Sequence, residues 1–227
     1  MKKFYIISLI IVFIVGAGIL SWYFYNLQNN PEKQSRIQNQ DKSDYKILSI
    51  NESYFKFKDE FTEEEYQKIL SKLKDKKINL ERSPQSPIDW FDFGYYKNRL
   101  GDKEGARLAW EKSFEYNPKK LATSNNLGDL YAHYYENYER AEFFYIYALN
   151  IKPNYSVYRK LLDLYRYKLE KKQNKVESLA LEAIENIPDR EKGFLMYLYD
   201  FYEDQNNQEK MKEYEARIKE IDPEFKG

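Results

Sequence analysis

The chain has no cysteine and one histidine among its 227 residues. Without a thiol there is no disulfide, no cysteine nucleophile and little basis for a structural zinc site. The lack of cysteine says little about compartment. His133 stands alone, so a two-histidine metal site is excluded and a Ser–His–Asp triad would have to be built on that residue. There is also no excess charge of either sign: Lys+Arg and Asp+Glu each number 37. A nucleic-acid binder needs a basic patch to neutralise phosphates, and this balance argues against one. No Gly-rich phosphate loop, H-E-x-x-H or G-x-S-x-G pattern occurs. The acidic run Glu63-Glu64-Glu65 and the pair Asp89 and Asp92 fall where helices start, which accounts for them without catalysis. The expectation is a non-enzyme with no catalytic residue, no cofactor and no metal.

Against these absences stands a ruler of prolines. Pro118, Pro153, Pro188 and Pro223 are separated by 153−118, 188−153 and 223−188, each 35 residues. A fixed period near this length, combined with helical patterning, signals stacked helical hairpins. Aromatic residues make up 18% of the chain, 23 of them tyrosines. Tyrosine-rich seams between stacked helices would account for them.

The second strong feature is the uncharged run from Phe4 to Tyr25, 25−4+1 = 22 residues. About 20 apolar residues cross the hydrocarbon core of a bilayer. Lys2 and Lys3 precede the run, and Trp22, Tyr23, Phe24 and Tyr25 close it as an interfacial aromatic belt would. A cleaved signal peptide is the rival reading. Its apolar core would be shorter, with small residues at the cleavage site, whereas Ile19, Leu20 and the aromatics follow Gly16, Ala17 and Gly18. The run is expected to be a single-pass anchor spanning 1–25 and contacting the lipid bilayer through 4–25. Positive residues favour a cytoplasmic N-terminus, with the large domain outside the cytoplasmic membrane.

Residues 26–43 are polar and read as a flexible linker. The stretch 44–83 is expected to cap the repeats. It opens with an apolar segment, Tyr45 to Phe61, that fits either two short strands or an irregular strap. Thr62 and Glu65 then form a capping box for a helix with Tyr66, Ile69, Leu70 and Leu73 on one face. Ser83-Pro84-Gln85-Ser86-Pro87 breaks the pattern.

Four units follow, 84–118, 119–153, 154–188 and 189–223. The first carries Trp90, Phe93 and Gly94 on one helix and Ala106, Trp110 and Ser113 on the next, with a turn at Asn98-Arg99-Leu100-Gly101-Asp102. The second carries Leu127, Gly128 and Tyr131, then Ala141, Tyr145 and Ala148. One extra residue in its turn, Tyr135 to Arg140, lengthens the period. This resembles the tetratricopeptide repeat, W-x2-L-G-x2-Y…A-x3-F…A…P. In the third unit Leu162 takes the glycine slot. In the fourth, Glu215 takes an aromatic slot. Met211, Tyr214, Ile218 and Ile221 are expected to form the apolar face of the last helix, with Glu215 exposed on a solvated outer face that ends the stack.

The resemblance implies an all-α fold, a right-handed superhelical stack of hairpins preceded by one transmembrane helix. It also implies a concave groove that holds an extended peptide or a partner helix. Mapping the family's inward slots gives Phe91, Tyr95, Asn98 and Arg99 in the first unit and Asn125, Asp129 and His133 in the second. The third gives Arg159, Asp163 and Arg166, and the fourth Tyr199 and Tyr202. The paired Lys/Asn pattern that captures a terminal carboxylate is not reproduced. The function these features imply is a membrane-tethered scaffold or adaptor for protein or peptide partners, in envelope assembly, secretion or chaperoning. The alternative is an accessory or regulatory subunit of a membrane enzyme complex.

Overall fold

The computed structural model describes residues 47–226. The expected anchor, the linker and residues 44–46 lie outside the described residues. Among the described residues, no helix is long and apolar enough to cross a membrane. The chain from Asn51 onward forms one compact unit, and the residues up to Ile50 are not part of it. Of the latter, only 47–50 are described, and Ile47 is helical.

The compact unit begins with an irregular strap, not strands. Two short 3-10 turns, Glu52–Tyr54 and Lys58–Glu60, bracket the buried Phe55. The backbone N–H of Phe57 donates to the Leu100 carbonyl at 3.2 Å, so its polar group is met by a helix-linking turn and not by a neighbouring strand. That turn carries Gly101 at φ 88°, where a Cβ would stand 2.9 Å from the Lys56 nitrogen. Glycine is therefore needed twice at this point, for its dihedral and for the close approach of the strap.

Nine α-helices follow among the described residues. α1 (Glu63–Arg82) starts with the expected box: Glu65 N–H donates to Thr62 Oγ1 at 3.3 Å, and Thr62 N–H to Glu65 Oε2 at 3.0 Å. Tyr66, Ile69, Leu70, Leu73 and Leu80 form its buried face, packed on the next helix. Four hairpins then run α2 (Pro87–Arg99) with α3 (Lys103–Tyr116), α4 (Leu121–His133) with α5 (Tyr138–Ile151), α6 (Tyr155–Tyr167) with α7 (Val176–Asn186), and α8 (Glu191–Asp204) with α9 (Gln208–Ile221).

Three of the four turns share one device. Gly101, Glu136 and Asn206 adopt positive φ, and each is followed by a capping residue. Asp102, Asn137 and Asn207 accept from the N–H groups of Gly105, Arg140 and Lys210. A left-handed residue reverses the chain, and a carboxylate or amide oxygen satisfies an orphan donor of the next helix. The third turn departs from this. A 3-10 segment, Glu170–Lys175, leads into α7 without a side-chain cap.

Small residues set the interhelix distance. A Cβ on Gly94 would stand 2.6 Å from Trp110, and one on Gly128 would stand 2.5 Å from Tyr145. Ala106, Ala141, Ala148, Ala180 and Ala183 are fully buried, as is Leu162 in the glycine slot of the third hairpin. The last helix corrects two expectations. Tyr214 and Ile218 of α9 are buried, but Ile221 is 46% exposed. Glu215 is half-buried instead of open, and it accepts from Lys219 one turn on, at 2.5 Å.

Polar ties between hairpins run through tyrosine hydroxyls. Tyr131 donates to Glu111 at 2.5 Å, Tyr165 to Glu142 at 2.7 Å and Tyr197 to Asp163 at 2.9 Å. Tyr214 and Lys210 both reach Glu177. Burial, and then the neighbouring carboxylates, push Tyr131 and Tyr202 up to about 12. Tyr145, Tyr165 and Tyr197 are pushed higher for the same reasons. A free tyrosine ionises near pH ~10, so the folded state holds protons that the unfolded state releases. The stability this contributes is complete below that pH and is lost as pH climbs toward the folded values. Helicity should therefore collapse cooperatively in alkali, together with a jump in tyrosinate absorbance. Smooth titration of all tyrosines near pH ~10 with helicity intact would refute this.

Candidate partner-binding groove

The inner helices α2, α4 and α6 begin 34 residues apart, at Pro87, Leu121 and Tyr155. A side chain at a given slot on one helix therefore meets the next inner helix at a nearly repeated position. Most of the twelve expected groove residues lie in these seams, and the seams engage them. Lys160 of α6 donates to Asn125 at 2.9 Å and to Asp129 at 2.7 Å, both on α4. Asp129 also accepts from Tyr145 at 2.8 Å. Asp163 accepts from Tyr197 of α8. Phe91 carries the Lys120 ammonium 3.7 Å from its ring centroid, and its carbonyl accepts from the Trp110 indole at 3.1 Å.

Three of the twelve are buried, which corrects their placement as open groove residues. Arg166 is 9% exposed. Its Nε donates to Asp204 at 3.1 Å and its Nη2 to the Asp200 carbonyl at 2.9 Å. Tyr202 stacks on Tyr214 with centroids 5.8 Å apart. Tyr199 meets Phe225 edge-on at 5.6 Å. These two tyrosines lie on α8, where Tyr214 of α9 and Phe225 cover them.

The other five of the twelve are exposed or half-buried. Tyr95 is 42% exposed, and Arg99 and His133 are exposed. Asn98 is half-buried and accepts from Lys103 at 2.7 Å. Burial lowers the pKa of Lys103, with Glu60 opposing it. Arg159 is half-buried over Tyr197.

Two surface depressions adjoin along α4. One, of about 400 Å³, is lined by Tyr95, Asn98, Lys103, Asp129, His133 and Tyr134. The other, of about 220 Å³, is lined by His133, Tyr138, Lys160, Asp163, Tyr167 and Lys168. His133 belongs to both. Tyr134 and Tyr167, 45% and 58% exposed, rim them. Neither was among the expected residues. The offset of 34 that carries α4 onto α6 also carries His133 onto Tyr167, and that was the available signal. Tyr134 ends α4 inside the turn, where no helical slot points to it. The surface offers rings, an imidazole, an amide and charges already screened by neighbours. Such a set suits a polypeptide, since half-exposed aromatic side chains provide contact area at low entropic cost.

No protein-family model matches the chain, and no curated protein matches it. Among solved structures, the crystal structure of MamA shares 15% identity over 65% of this chain and 85% of its own, with a TM-score of 0.54. A structure described as the MamA RS-1 ArsTM double mutant shares 16% identity over 66% of this chain and 83% of its own, with a TM-score of 0.53. YrrB, described as a TPR protein with an unusual peptide-binding site, shares 16% identity over 66% and 93%, with a TM-score of 0.44. At such identities the likeness is one of fold, and the chain is an all-α stack of tetratricopeptide-like helical hairpins.

Proposed function

We propose that the chain is a scaffold that holds a peptide or partner helix across the inner face of α2, α4 and α6, while residues 4–25 tether it to the cytoplasmic membrane. The domain would then follow a linker at 26–43 and a cap at 44–83, with repeats at 84–118, 119–153, 154–188 and 189–223 on the outer side. The observation that carries this reading is the trio of exposed tyrosines, Tyr95, Tyr134 and Tyr167, around two depressions that share His133. Tethering restricts the partner to the membrane surface and raises its effective concentration there. Envelope assembly, secretion and chaperoning of exported chains are the settings that suit such a scaffold.

Tyr95→Ala combined with Tyr167→Ala should leave helicity unchanged and sharply reduce recovery of a crosslinked partner from membranes. Truncating one interface hot spot typically costs ~2 kcal/mol or more, about thirtyfold in affinity. Carbonate-washed membranes should retain the intact wild-type chain, and protease added outside should remove its domain. Undiminished recovery with the double variant would refute the groove, and release of a shortened soluble form would refute the tether.

A further inference from the structure

Two guanidinium groups at the start of the α6–α8 seam stand apart from the other cations around them. Lys160, Arg166 and Lys192 are each matched to a carboxylate, on Asp129, Asp204 and Asp222 respectively. Arg159 and Arg190 have no ion pair among the described residues. Both bear on one ring. Arg159 Nη1 is 3.4 Å from the Tyr155 hydroxyl, and the Arg190 Cζ lies 5.6 Å from the Tyr155 ring centroid. Arg159 also lies over Tyr197, with its Cζ 4.5 Å from the centroid. Its Nε is buried and has no hydrogen-bond partner. An N–H cut off from water and left without an acceptor is an unmet cost in the folded chain. A Cβ on Gly193 would come within 2.8 Å of the Tyr155 hydroxyl, so the glycine leaves room for that hydroxyl beside the two arginines.

We propose that Arg159, Arg190 and Tyr155 form a subsite for the side-chain carboxylate of a glutamate or aspartate in a polypeptide lying along the groove. This rests on the peptide-binding reading and gives its partner a chemistry. A guanidinium held over a ring is positioned for its N–H groups to meet a carboxylate, whose two oxygens match the guanidinium fork. A chain-terminal carboxylate is the other source of the same group. Of the neighbours that would grip a terminus, Lys160 is already committed to both Asn125 and Asp129. The acidic group is therefore assigned to the middle of the bound segment, not to its end.

The test uses the full-length chain in detergent micelles and fluorescence anisotropy. The probes are two matched pools of short, labelled, C-terminally amidated peptides that differ only in carrying Glu or Gln at two central positions. Wild type should bind the Glu pool about tenfold more tightly, a difference that shrinks with added salt. Arg159→Gln with Arg190→Gln should make the two pools equal while leaving the Gln pool unaffected. Arg159→Lys should keep part of the preference, which a purely structural role for the side chain would not produce. Equal binding of both pools by wild type, with Tyr95→Ala weakening both, would overturn the subsite and leave the groove standing. Binding of neither pool would overturn both. A Glu preference that survives the double glutamine variant, or one that appears only when the peptides carry a free C-terminal carboxylate, would overturn the subsite as assigned.

Discussion

Gly128→Ala is expected to destabilise the stack by about 2 kcal/mol, although alanine is the better helix former. Intrinsic propensity alone would favour the change by ~1 kcal/mol. The new Cβ would stand 2.5 and 2.6 Å from two ring carbons of Tyr145. That ring is 1% exposed, and its hydroxyl is held by Asp129 at 2.8 Å, which is itself held by Lys160. The ring can yield only by giving up the bond that holds its hydroxyl. Overpacking of this kind costs roughly 1–3 kcal/mol and sometimes more, so the clash outweighs the propensity. Gly128→Val should lose ~3 kcal/mol or more, because valine's Cβ carries two further methyl groups into the same contact. Urea unfolding monitored by circular dichroism would read both changes as a lower midpoint. A midpoint for Gly128→Ala equal to or above wild type would show that α4 and α5 do not meet at this position.

Asp102→Ala should lose about 4 kcal/mol. The Asp102 carboxylate has two tasks inside the first turn. One oxygen lies 2.7 Å from the Lys97 ammonium, and both side chains are buried. The other accepts from the Gly105 N–H at 2.8 Å and caps α3. Removing one partner of a buried ion pair costs ~3–5 kcal/mol, since the remaining charge keeps its desolvation penalty. Losing an N-cap costs ~1 kcal/mol. In a chain of this size each kcal/mol lowers the melting temperature by roughly 2–4 °C, so a fall of about 10 °C is expected. Asp102→Asn keeps the cap and removes only the charge, so it should fall between. Asp102→Ala with Lys97→Met should recover much of the loss, because apolar replacement of a buried pair is often neutral. A melting temperature unchanged in Asp102→Ala would mean that the pair contributes nothing and that the cap is met elsewhere.

The helices and their packing slots were legible because their causes are local. Thr62 with Glu65 marks a helix start wherever it occurs, and Gly94, Gly128, Ala141 and Ala148 report the distance to the next helix. The strap was ambiguous because Tyr54, Phe55 and Phe57 are equally apolar as strand or coil; contact with the Gly101 turn decides it. The groove was harder to read. A repeat pattern places a residue on a helix face but does not say what the adjacent helix offers it. Lys160 occupies no signature slot, yet it ties down Asn125 and Asp129. The proline spacing of 35 also hid a drift: α6 begins 34 residues after α4, whereas α8 begins 36 after α6. The third hairpin's 3-10 segment replaces a compact turn, yet Tyr199 and Tyr202 keep on α8 the helix positions of Asp163 and Arg166; contact with Phe225 and with Tyr214 of α9, which no slot pattern announces, buries them.

The polar ties between hairpins make the order of the repeats a written address. Apolar slots are nearly interchangeable, and by themselves they would tolerate shuffled or duplicated units. The hydrogen-bonded partners would not. Lys160 is the sixth residue of α6, and the sixth residue of α4 is Asn126, a shorter and neutral side chain. A second copy of the α4–α5 hairpin placed after the first would bring Asn126 to the slot from which Lys160 grips Asp129. Tyr131 and Tyr165 hold the same position on their helices, yet one finds its acid at the ninth residue of α3 and the other at the fifth residue of α5. Each junction thus recognises only its own neighbour, and an array that looks repetitive in outline is aperiodic in its chemistry.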